Sequence, residues 1–142
     1  MDIINIIDEY VELKYQYDFN KFFVELYNKR PDLETIKKQA KESQTKMDEI
    51  KPELDKRYEE YESEIKLLSK EGLSSLCEQL TTKWHNLCER RNFLDDKSAK
   101  LHEQGQDLDQ KENFELQKIG VTIHTYSSFI FDINQMIGFG TK

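Results

Sequence analysis

At 142 residues the chain has room for one domain of ordinary size, but 35% of it is charged and only 37% hydrophobic, which is too polar for a thick globule. Five glycines and two prolines are too few for a loop-rich β fold, whereas charged, glycine-poor sequence in heptads is what long helices look like. The formal net charge of −7 argues against a phosphate backbone as ligand, since non-specific nucleic-acid binding rests on Lys and Arg neutralising phosphates.

Three compositional zones follow one another. Residues 1–27 hold 16 hydrophobic residues, residues 28–112 hold 37 charged ones, and residues 113–140 turn apolar again with 13 hydrophobic residues of 28. A polar middle flanked by two apolar ends must bury both ends.

Residues 1–30 are expected to form N-terminal aromatic-rich helices. Asp2 can cap the first, and Ile3, Ile6, Ile7, Tyr10 and Leu13 follow helical spacing. A second short helix fits Phe19, Phe22, Phe23, Leu26 and Tyr27 at i, i+3, i+4, i+7 and i+8. From Tyr10 to Tyr27 there are seven rings in 18 residues, a packed core or an interface with another subunit. Membrane insertion fits less well, because Asp2, Asp8, Glu9, Glu12 and Asp18 stand where interfacial helices favour Lys and Arg. Pro31 then stops the helix, and Asp32 is the expected cap of the next.

Residues 31–112 carry two heptad series, the pattern of a coiled-coil stalk with two arms. The first runs Leu33, Ala40, Met47, Leu54, Tyr61 and Leu68, with Ile36, Ile50, Tyr58 and Ile65 as the second core position. Pro52 lies inside this arm and is expected to kink or divide it. The second series is Leu73, Leu80, Leu87, Leu94, Leu101 and Leu108, joined by Leu76 and Trp84. The step of five between Leu68 and Leu73 breaks the phase, with Gly72 suited to a left-handed closing position and Ser75 and Glu78 at capping-box spacing. Equal arms and a turn near 69–72 predict an antiparallel hairpin whose layers pair Leu68 with Leu73 and Leu33 with Leu108. One long continuous coiled-coil helix through Gly72 is the alternative, since a single Gly costs only about 1 kcal/mol.

Residues 113–142 are expected to hold a C-terminal apolar helix. "VTIHTY" and "FIFDI" alternate like short strands, but Leu116, Ile119, Ile123, Tyr126, Ile130, Ile133 and Ile137 keep helical spacing, which outweighs the alternation. Phe129, Phe131, Met136 and Phe139 lie off that stripe, so the helix is apolar on more than one side. Gly138 and Gly140 are expected to end it.

Residues for chemistry are sparse. His85, His102 and His124 form no metal-binding pair, and Cys77 with Cys88 lacks a CxxC partner, so neither a zinc site nor a disulfide framework is expected. Serines 74, 75, 127 and 128 lack a GxSxG context, and no glycine-rich loop follows a strand. Adjacent acids such as Glu59–Glu60 and Asp95–Asp96 point to different helix faces and read as solvated surface. No catalytic residue, cofactor, metal or small-molecule substrate is therefore expected, and the protein reads as a non-enzyme. No basic leader opens the sequence and no run of about 20 apolar residues spans a bilayer, so a cytoplasmic protein is expected, with cytoskeletal or nuclear association open.

The fold class read from these patterns is all-α: an elongated antiparallel coiled-coil hairpin with a small helical head formed by the N- and C-terminal helices. A two-helix stalk covers one face of each helix, so further helices from other protein subunits are expected, in a hetero-oligomer. The expected partner-facing residues are Phe19, Phe22, Phe23 and Leu26 at one end and Ile130, Phe131, Ile133, Met136 and Ile137 at the other. The corresponding role is a structural or scaffold subunit of a multi-subunit assembly. A recruitment or adaptor module binding a peptide or membrane through the aromatic N-terminal helices is the alternative.

Overall fold

A computed structural model of the chain describes residues 2–140, with side chains to Gly138. It is all-α: four helices, α1 (Ile3–Lys29), α2 (Glu34–Ile65), α3 (Lys70–Glu103) and α4 (Gln110–Gln135), are followed by a π-helical turn over Met136–Gly140. No strand occurs among the described residues, so the alternating "VTIHTY" segment is helix. The chain divides into two compact units, residues 1–67 and 68–142, and each is organised by an antiparallel helical hairpin: α1 with α2, and α3 with α4.

In the first unit α1 is a single helix rather than two, because nothing between Leu13 and Phe19 breaks backbone geometry. It ends where Pro31 disfavours helical geometry at Arg30. Asp32 does not cap α2. Its carboxylate accepts two hydrogen bonds from the Arg30 guanidinium, at 3.2 and 3.1 Å, and Leu33 takes the cap position without a side-chain bond. The first heptad series is buried at Ala40, Met47, Leu54 and Tyr61, and at Ile65 of the companion series. Those residues turn toward α1, where Ile6, Ile7, Val11 and Tyr15 are buried. Pro52 neither divides nor ends α2. It lies on the exposed side, where water can satisfy the carbonyl that loses its amide partner.

Two side chains fix the register of this hairpin. Arg57 reaches Glu9 across the pair at 2.5 Å and Glu60 along its own helix at 2.9 Å. Tyr10 of α1 sits 5.6 Å from Tyr58 of α2, ring centre to ring centre, in a tilted contact. Ser43 is fully buried on the α2 seam and keeps its hydroxyl satisfied by accepting from Gln39 Nε2 at 3.1 Å.

The break between α2 and α3 comes at residues 66–69, so a continuous helix is not formed. Ser69 is the N-cap of α3, its hydroxyl accepting from the Gly72 amide at 3.1 Å. Gly72 therefore lies in the first turn of α3 instead of closing the preceding helix, and the Ser75–Glu78 spacing starts nothing. The left-handed glycine is Gly105, with φ of 71°. There the Gln106 amide bonds Leu101 O at 2.7 Å and the Gly105 amide bonds His102 O at 3.0 Å, the paired bonds of a Schellman ending. Asp109 then caps α4 by accepting from the Glu112 amide at 2.7 Å.

The second unit's seam contains the leucines. Leu73, Leu76, Leu80, Leu94 and Leu108 are buried, while Leu87 and Leu101 are half-buried. Their partner helix is α4, which contributes Ile119, Ile123, Tyr126, Phe129 and Ile133 to the buried set. Leu94, Ile119 and Ile123 form one cluster with Trp84, Leu87, Cys88 and Leu116 packed around it. The helical-hairpin architecture is thus as expected, but each heptad arm is sealed by an apolar end helix of its own unit. Gly138 does not stop the last helix; it lies within the π-helical turn, and the Phe139 side chain lies outside the described residues.

Candidate protein-docking surfaces

The expected partner-facing residues separate by unit and by exposure. On α1, Phe19 is 41% and Phe22 60% exposed, whereas Phe23 and Leu26 are half-buried. Their rings form a ladder along the helix: Tyr15–Phe19 at 6.1 Å, then Phe19–Phe23 and Phe22–Phe23, both edge-on at 5.4 Å. Such edge-on contacts are favourable ring geometries, and they bring the exposed rings together on one helix. In the second unit Ile133 is fully buried, Ile130, Met136 and Ile137 are half-buried, and Phe131 is 66% exposed. Ile133 thus belongs to the seam of its own hairpin, and Phe131 points away from it.

Among the described residues, exposed large hydrophobics outside the expected set are Tyr58, Leu67, Phe93 and Phe114. Phe93 carries the Arg90 guanidinium over its ring at 5.1 Å. Its position directly before the seam residue Leu94 was the available signal, since neighbours in a helix point about 100° apart. A charged clasp near the α3–α4 turn was also missed. Arg90 holds Glu115 bidentately at 2.8 and 2.9 Å, and Lys97 holds Glu112 at 2.7 Å. The Arg90 guanidinium keeps the Glu115 carboxyl below its ordinary range, and Glu115 in turn raises Arg90. Both groups are exposed, so the clasp fixes register more than it stabilises.

Groups with chemical potential stay apart. Among the described residues no set of three or more His, Cys, Asp or Glu converges as metal ligands. Cys77 and Cys88 are free thiols, and Cys77 Sγ lies 3.4 Å from Asn134 Oδ1 across the α3–α4 pair. His85 pairs with Glu89 at 3.0 Å on one helix face, and His102 with Asp107 at 2.6 Å beside the Gly105 turn. Burial raises the Tyr10 and Tyr15 hydroxyls above the ordinary tyrosine value, which keeps them protonated. Concavities among the described residues are open grooves: between α1 and α2 one of about 400 Å³ includes Tyr10, Tyr17 and Tyr58 and one of about 560 Å³ includes Ile6, Arg57 and Glu60, and one of about 650 Å³ between α3 and the end of α4 with its last turn includes Cys77, Glu78, Thr81 and Asn134.

No described helix is long and apolar enough to cross a membrane. Comparison with protein-family models, curated proteins and solved structures finds no match to this chain.

Proposed function

We propose that the chain is a non-enzymatic structural subunit of a multi-subunit cytoplasmic assembly, docking to other helical proteins through exposed helix faces. The observation that carries this reading is the exposure of Phe19 and Phe22 on an aromatic ladder, beside a hairpin whose own seam is already filled. Large rings held at the surface are what interface cores are built from, and two-helix hairpins leave their outer faces for others to cover. Heterologous helical subunits are the partners in this reading, with no cofactor or substrate involved.

The test is isolation of the tagged chain from its native source, compared with a chain carrying Phe19→Ser and Phe22→Ser. Stoichiometric helical partners held by the unaltered chain and lost by the variant, with helicity of the purified variant unchanged, support the reading. Retention of the same partners by the variant contradicts it. The same ladder would also suit an adaptor that grips an amphipathic peptide, and that reading gains if the partner retained is a short segment rather than a folded subunit.

A further inference from the structure

The α3–α4 hairpin changes character along its length. Between Gly72 and Cys88 the only charged residues are Glu78 and Lys83, and from Ile119 to Gly140 the only one is Asp132. The exposed positions of α4 and the following turn from Ile119 to Gly138 carry no Asp, Glu, Lys or Arg, in a chain that is 35% charged. A solvated helix face needs no such exclusion, whereas the core of an interface is depleted in charge.

Two residues on that face are opposite in size. Phe131 is 66% exposed, and Gly120 is an exposed mid-helix glycine whose missing Cβ would meet nothing within 4 Å. Nothing within the chain requires glycine there, although glycine is the poorest helix former after proline. The two positions are about three turns apart, which sets them on one face roughly 16 Å from each other. A two-fold axis midway between them, at the level of residues 125 and 126, would place each Phe131 over the partner's Gly120. His124 and Ser127 would meet each other across the same axis.

We propose that this face binds a second copy of the chain, α4 antiparallel to α4, so that two α3–α4 hairpins form a four-helix bundle. The inference rests on the reading of the chain as a docking subunit and names one of its contacts. Charge favours self-pairing on this face: an isologous contact sets each residue near its own symmetry mates, and a chain of net charge −7 would oppose like charges on an ordinary face. The area suffices. The face from Gln117 to Gly138 is about 33 Å long and, with the bordering side of α3, where Glu78 stands among Ser74, Cys77, Thr81 and Thr82, about 18 Å wide, or about 600 Å² per copy. Two copies bury about 1,200 Å², the lower bound of standard interfaces.

The test uses the full chain. Sedimentation at about 100 μM should give a dimer, a concentration that occupies even an interface of modest affinity. Gly120→Leu covers the bare backbone at a position where an added Cβ meets nothing within 4 Å and improves helix propensity, so it should fold and yet weaken association at least tenfold. Phe131→Glu should do the same. In a background of Cys77→Ser and Cys88→Ser, chains carrying Gly120→Cys and chains carrying Phe131→Cys should crosslink to each other on mixing. Phe131→Cys chains alone should not, since the two sites lie about three turns apart. A monomeric unaltered chain, undiminished association of Gly120→Leu, or crosslinking of Phe131→Cys only to itself overturns the proposal. If the chain is monomeric alone yet recovered with heterologous subunits from its native source, the homotypic contact fails while the docking role stands. A purified dimer that has no other partner in its native source leaves the contact standing and removes the docking role.

Discussion

The adjacent residues Phe93 and Leu94 make the sharpest test of the second hairpin, because Leu94 is in the seam and Phe93 outside it. Leu94 is 0% exposed within the cluster of Ile119 and Ile123, while Phe93 is 55% exposed. Leu94→Ala removes three carbons from that cluster, about 2.4 kcal/mol at ~0.8 kcal/mol for each buried methylene. The cavity left behind adds to this, so a total of about 3–4 kcal/mol is expected. Phe93→Ala removes a larger side chain but costs about 1 kcal/mol, mostly the ring's contact with the Arg90 guanidinium. Urea unfolding followed by helical ellipticity measures both, and Trp84 fluorescence reports locally because Trp84 packs on the same cluster. The difference of about 2–3 kcal/mol is roughly thirtyfold or more in the unfolding equilibrium. Equal losses for the two variants, or a loss below about 1 kcal/mol for Leu94→Ala, would refute the packing of the leucine seam on α4.

Gly105→Ala should destabilise by about 1–2 kcal/mol, because its φ of 71° is left-handed, whereas Gly72→Ala should be neutral or stabilise by up to about 1 kcal/mol; thermal melts compare the two. The Glu115 carboxyl is held below its ordinary value by Arg90, so its contribution is present above the unfolded-state value and lost as pH falls through the lower folded value. Acid titration of stability should therefore be shallower in Glu115→Gln than in the unaltered chain, and an identical profile would mean that the clasp does not persist in solution. Replacing Cys77 and Cys88 together by Ser should leave helicity unchanged with only a modest packing loss, read by circular dichroism and urea midpoint; loss of bound zinc along with the fold would contradict it.

The heptads told which faces are buried and left open what buries them. Ala40, Met47, Leu54 and Tyr61, like Leu73, Leu80 and Leu94, lie on the seams their spacing marks. Period reports the phase of a stripe along its own helix and carries nothing about the identity of the facing helix. Two equal arms therefore invited pairing with each other, while the apolar α1 and α4 supply the partners within each unit. The turn between α2 and α3 was legible as a phase break, but its chemistry lay in the Ser69 hydroxyl, which caps α3 and lets Gly72 remain helical. Gly105 was hidden because Leu101 and Leu108 keep heptad spacing across the turn that it makes. For the candidate surface, helical spacing grouped Phe19, Phe22, Phe23 and Leu26, and exposure divides that group into two outward rings and two half-buried residues. Ile133 and Phe131 differ for the same reason: two positions apart, they point about 200° from each other.

Whether this chain works as one subunit among others is measured most directly on the native particle that contains it. Its mass and composition would be taken from cell extract under mild conditions and compared with the purified chain of 17.0 kDa. The expected result is a particle well above the mass of a dimer, containing other helical proteins in fixed ratio to this one. A particle no larger than one or two copies of the chain, with no other protein in fixed ratio, would contradict it.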